Sequence, residues 1–167
     1  YKIFGIVEMV MMIILTPIWS AYTDAYTRKD FVWMKNSSRR LEQLGLLCIP
    51  ALFILWIVSP FLFEFWLGNS VLTSLSVSAV VAFYILCRVW GNIYMYQING
   101  TGKLRMQLLT YAVIAVFAIP TMILLGRAFG LMGIVMVPSM AFLAQTLIMR
   151  IQLLKIISGA SRGWWNK

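Results

Sequence analysis

Two ionisable side chains, Glu8 and Arg88, each interrupt a long apolar run. A charge placed in hydrocarbon is costly unless it faces protein, a counter-charge or water, so each marks a candidate site. Arg88 offers a planar fork of donors suited to a diphosphate or a carboxylate. Glu8 can pair with that fork or carry a coupling cation, a proton or a sodium ion. Tyr84, Asn92 and Tyr96 lie four and eight residues from Arg88, which in a helix puts all four on one side. That strip, continued outward by Ser74 and Ser78, is expected to line a polar cavity. Gln145 either joins the cavity or makes an interhelical hydrogen bond. The competing reading of Glu8 and Arg88 is an ion pair that only fixes helix packing.

Other chemistries lack their residues. The chain contains no His, the commonest general base and metal ligand. Cys48 and Cys87 both sit in apolar stretches, where a thiol behaves as a small hydrophobe. No carboxylate pair, nucleophile with a base, or phosphate-cradling loop is present; Asn99-Gly100-Thr101-Gly102-Lys103 is glycine-rich but lacks the P-loop spacing and follows no strand. It reads as a turn. Neither an enzyme nor a metal or organic cofactor is expected.

The elements that must position these residues follow from composition. Of 167 residues 62% are hydrophobic and 11% charged, and the mean hydropathy is +0.87. A soluble domain carries about a quarter of its residues as charges, so lipid is the expected solvent. An all-α integral membrane protein follows, with spans of roughly 20 residues near 3–22, 44–66, 71–98, 104–125 and 131–154. Counted from the cytoplasmic ends at about 1.5 Å per residue, Arg88 and Glu8 lie roughly 15 and 20 Å deep.

The net charge of +9 reflects topology, and no nucleic-acid partner is expected. Eleven Lys and Arg fall in the first and third connections and the tail, against Arg127 alone in the second and fourth. Positive loops stay cytoplasmic, so the first span runs inward and the C-terminus is cytoplasmic. No basic stretch and cleavage site precede the first apolar run, so no signal peptide is expected.

Asp30 can cap a helix over residues 30–42 whose Phe31, Met34, Ser38 and Leu41 share a side, with Lys35, Arg39 and Arg40 elsewhere. An interfacial amphipathic helix is expected there, with Trp33, and Trp164 and Trp165 in the tail, at the headgroups of the membrane lipids. All five prolines (Pro17, Pro50, Pro60, Pro120, Pro138) fall in or at the ends of spans. Membrane helices tolerate them where neighbours or Ser and Thr satisfy the freed carbonyls. Gly126, Gly130 and Gly133 suit a tight turn and close helix packing, and residues 67–70 a second tight turn.

The run Pro17-Ile18-Trp19-Ser20-Ala21-Tyr22-Thr23-Asp24-Ala25-Tyr26, with Arg28-Lys29-Asp30, Trp33 and Lys35 after it, resembles a segment of polysaccharide flippases of the Wzx type, relatives of the MATE exporters. Phe65-Trp66-Leu67-Gly68, Asn99-Gly100-Thr101-Gly102-Lys103 and Phe129-Gly130-Leu131-Met132-Gly133-Ile134 look like later landmarks in the same order. The match spans nearly the whole chain, and departs at Lys29, where the family often has Gly. The resemblance implies two six-helix bundles around a central cavity that move lipid-linked oligosaccharide by alternating access. These five spans would be the last of the second bundle, and the N-terminal bundle of the same protein would be their partner. A drug or small-molecule exporter of the same superfamily, and a membrane scaffold subunit of glycan assembly, are the alternatives.

Overall fold

The computed structural model describes residues 1–67, 74–160 and 163–166. The five apolar segments form five helices: α1 (Lys2–Thr27), α2 (Phe31–Leu67), α3 (Leu75–Thr101), α4 (Arg105–Phe129) and α5 (Leu131–Ile157), followed by a 3-10 turn at Gly163–Asn166. Each is long and apolar enough to cross a membrane. Much of the helical surface is apolar, with Ile13, Phe61, Val116 and Leu124 among the large side chains left exposed. Such a surface is an aggregation hazard in water and an ordinary one in lipid. The protein is a helical membrane protein.

α3 is the hub, packed against α1, α2 and α5, while α4 leans on α5 and stands away from α3. Direction follows from paired residues. Glu8 meets Arg88 and Trp19 meets Tyr96, so α1 and α3 run parallel. Glu42 meets Tyr94 and Trp56 meets Leu75, so α2 runs against α3. One cluster of buried side chains, including Leu15, Leu52, Ile85 and Val89, joins α1, α2 and α3. A second, with Tyr22, Met34, Ile98 and Leu153, adds α5.

The interfacial helix expected over 30–42 is not a separate element. Its residues are the first turns of α2, continuous with the second span over 37 residues. Asp30 does cap it, its Oδ1 accepting from the Trp33 N–H at 2.9 Å. Met34, Ser38 and Leu41 do share a buried side. That side packs on protein: Tyr22 reaches the Met34 carbonyl, and its ring meets Trp33 edge-on at 5.5 Å. Periodicity shows that one face is apolar and leaves open whether lipid or a helix covers it.

Two expected turns are also shorter than the sequence suggested. Asn99, Gly100 and Thr101 belong to α3, and Gly102 at φ 70° makes the break. Arg127 lies inside α4, and Gly130 at φ 61° separates it from α5. Gly133 and Gly126 act in packing: a Cβ on Gly133 would fall 2.1 Å from the Leu125 carbonyl oxygen, and one on Gly126 3.0 Å from Ile134 Cγ1. The turn expected at 67–70 and the first residues of the third span fall largely outside the described residues, as does the Trp164 side chain. Trp165 lies under the Lys155 ammonium, 3.8 Å from Nζ to the ring centroid.

All five prolines lie inside helices. Pro60 frees the Trp56 carbonyl, and the Ser59 hydroxyl donates to it at 2.8 Å. Membrane helices use local repairs of this kind.

The end of α1 shows what the Lys29 position requires. The Lys29 N–H bonds to the Tyr26 carbonyl and the Asp30 N–H to that of Ala25, a Schellman closure that needs a left-handed residue between. That residue is Lys29, at φ 59°. An L side chain there costs about 1–2 kcal/mol. Lys29→Gly is therefore expected to stabilise the protein by about 1 kcal/mol, read as a higher melting temperature in detergent.

Candidate functional site

Arg88 stands midway along α3. At about 1.5 Å per residue it is about 20 Å from either end of that helix. Its strip faces α1 in register: Tyr84 lies beside Tyr1, Arg88 beside Glu8, Asn92 beside Met12 and Tyr96 beside Trp19. Parallel helices with polar groups at matching heights build a polar seam. The expected cavity lining is thus largely a helix–helix contact, open along one side.

Glu8 and Arg88 are paired, Nη2 to Oε1 at 2.7 Å. Glu8 is 7% exposed, and the Arg88 side chain 27%. Nη1 donates to the Tyr1 hydroxyl at 2.6 Å and more weakly to that of Tyr84 at 3.4 Å. The guanidinium also lies 5.5 Å from the Tyr84 ring centroid and 5.8 Å from that of Phe142. Nε is buried with no acceptor among the described residues. A guanidinium has five donors, so this one is held by carboxylate and rings with donor capacity to spare. An arriving anion would find a cation already oriented and partly desolvated.

The other predicted residues divide between two places. Asn92 donates to Met12 Sδ at 3.6 Å, and Tyr96 meets Trp19 edge-on at 6.2 Å. Gln145, 1% exposed, donates to the Gly91 carbonyl at 3.3 Å, tying α5 to α3. Asn92 and Gln145 also line a separate cavity of about 390 Å³ between α3, α4 and α5, whose other walls are apolar except for Tyr111. Gln145 thus makes the interhelical hydrogen bond, and the cavity it lines is distinct from the Arg88 seam rather than part of it. Cys48 and Cys87 are buried free thiols.

Two features escaped the sequence reading. Thr16, Trp19, Ser20, Thr23, Asp24 and Thr27 line an open hollow of about 620 Å³ on α1. The hydroxyl protons of Thr16, Ser20 and Thr23 go to carbonyls of their own helix. The wall therefore shows lone pairs outward, ready for ligand hydroxyls. Four of its residues lie within the Pro17 to Tyr26 run and two flank it, but nothing there said which side of α1 stays uncovered.

The second is a polar knot at the other end of the seam. The Tyr22 hydroxyl shares its proton between the Met34 carbonyl and Gln97 Oε1, both at 2.7 Å, and Gln97 Nε2 donates to the Ile93 carbonyl. Nearby, the Tyr94 hydroxyl donates to Glu42 at 2.6 Å, and Arg150 lies 3.7 Å from that carboxylate. These bonds join α1, α2, α3 and α5. Tyr22→Phe strips buried Gln97 of its donor and is expected to cost about 1–3 kcal/mol, measured by thermal unfolding.

No protein family, curated protein or solved structure matches the chain.

Proposed function

We propose that this chain forms one wall of a flippase that carries undecaprenyl-diphosphate-linked oligosaccharide across the bacterial inner membrane for surface polysaccharide or O-antigen assembly. The observation that carries the reading is Arg88: a cation at mid-helix, partly desolvated, oriented and incompletely satisfied. The diphosphate takes the place of Glu8 on the guanidinium, and the sugars lie along the hydroxyl wall of α1. Glu8, released in a dry site, takes up a proton or a sodium ion, because an unpaired buried carboxylate is strongly unfavourable. Anion binding and cation uptake are thereby linked. Rocking of this bundle against an N-terminal one then exposes the seam on the other side. In this reading the C-terminus is cytoplasmic, from the segregation of Lys and Arg.

The same cavity dimensions suit a small-molecule exporter, since drug-sized pockets run about 300–1,000 Å³. The test separates the two. Cells lacking their own flippase would express this chain with any upstream coding sequence retained. Restored surface polysaccharide, dependent on Arg88, supports the proposal. Unrestored polysaccharide together with resistance to a cationic dye would overturn it.

A further inference from the structure

The cavity between α3, α4 and α5 belongs to no helix seam and has its own shape. α4 approaches α5 closely and stands further from α3, to which the Tyr111 hydroxyl reaches across onto Met95 Sδ at 3.2 Å. Between these two helices the bundle therefore opens sideways, towards lipid. The slot extends along α4 from Tyr111 to Met122. At about 1.5 Å per residue that is a length of about 16 Å. Its walls are apolar apart from Asn92, Gln145 and the Tyr111 hydroxyl, and none of its lining residues is charged. An elongated apolar slot open to lipid fits a linear hydrocarbon chain.

Its inner wall points to what the chain is attached to. Phe142 lines the slot, and the same residue also borders the charged site, its ring 5.8 Å from the Arg88 guanidinium and 6.1 Å from the Tyr84 ring. Asn92, one turn from Arg88, likewise lines the slot while bonded to Met12 in the seam. An anion site and an apolar slot that share a wall match a single amphiphile. We propose that the slot receives the first part of the polyprenyl tail of the ligand whose diphosphate sits at Arg88, Phe142 being the partition between head and tail. The proposal rests on the reading of Arg88 as the diphosphate site, and it keeps the head from being pulled back towards the lipid by its own tail.

The test uses the protein in lipid nanodiscs with two probes, inorganic diphosphate and undecaprenyl diphosphate, and two substitutions that narrow the slot without touching Arg88, Ala141→Trp and Ala118→Trp. The wild type is expected to bind the polyprenyl compound at least tenfold more tightly than inorganic diphosphate. Each substitution should erase that advantage and leave inorganic diphosphate binding unchanged. If neither probe binds the wild type, the diphosphate reading of Arg88 itself falls. If inorganic diphosphate binds and the tail adds nothing, or both variants keep the advantage, the slot proposal falls alone. Equal competition by phosphatidate would also overturn it, since an acyl lipid would then fill the slot as well. Should the tryptophan variants not fold, a polyprenyl phosphate with a diazirine in its tail is cross-linked to the wild type. Label on α4 and α5 peptides containing Met122 or Pro138 supports the slot; label confined to α2 overturns it.

Discussion

Arg88→Ala is expected to abolish export of lipid-linked glycan and also to destabilise the protein, and the two effects can be separated. Removing one partner of a buried pair leaves the other charge stranded, at a cost of about 3–5 kcal/mol. Here the stranded group is Glu8, 7% exposed beside the mid-point of α3. The double variant Glu8→Gln/Arg88→Met removes both charges and should recover most of the lost melting temperature, because a neutral pair of similar volume no longer buries an unpaired ion. Export should remain absent, since nothing then grips the diphosphate. Arg88→Lys keeps the charge but loses the fork and is expected to retain only a small fraction of export at near-normal stability. If the double variant exported normally, the pair would be a packing device and the proposed role of Arg88 would be lost.

The second large effect is expected at Gly100, a close approach of the two helices that build the seam. A Cβ there would lie 2.4 Å from Tyr22 Cβ and 2.8 Å from the Trp19 carbonyl oxygen. Neither neighbour can yield easily: Tyr22 is fully buried and hydrogen-bonded, and the Trp19 oxygen belongs to the α1 backbone. Overpacking a tight contact costs about 1–3 kcal/mol, and Gly100→Ala should reach at least the upper end. Gly100→Leu should prevent α1 from seating at all. Size-exclusion recovery and thermal unfolding in detergent read both outcomes. By contrast a Cβ at Gly102 meets no atom within 4 Å, and only the φ of +70° opposes it. Gly102→Ala should therefore cost about 1–2 kcal/mol. Equal effects at the two glycines would contradict the close-approach account.

The contrast between these neighbouring glycines shows what could be read from the sequence. Hydrophobic length placed all five helices, and the cost of charge in hydrocarbon singled out Glu8 and Arg88, which the fold brings together at 2.7 Å. Four-residue spacing correctly put Tyr84, Arg88, Asn92 and Tyr96 on one side of α3, but spacing carries no information about what stands opposite. Most of that strip is covered by α1. The interfacial helix expected over 30–42 differs from the fold for the same reason, since an apolar stripe is equally served by lipid and by Tyr22. Gly100 read as part of a turn because glycine after asparagine usually is one. Only the approach of Tyr22, from a distant part of the chain, gives it another purpose. The knot of Tyr22, Gln97, Tyr94, Glu42 and Arg150 was invisible for the same reason: its members come from four helices.

One dimension of the fold has a mechanical meaning. α2 is 37 residues long. At about 1.5 Å per residue it rises roughly 55 Å, well beyond a bilayer core of about 30 Å. A rod of that length is a lever arm. A tilt of only about 5° at its far end sweeps the tip at Phe31 through roughly 5 Å, and the tip is lashed to α1 by the Met34 carbonyl. A pair of spin labels, one on Lys35 and one in a stationary part of the membrane assembly, would therefore register small rotations of this bundle as distance changes large enough to resolve.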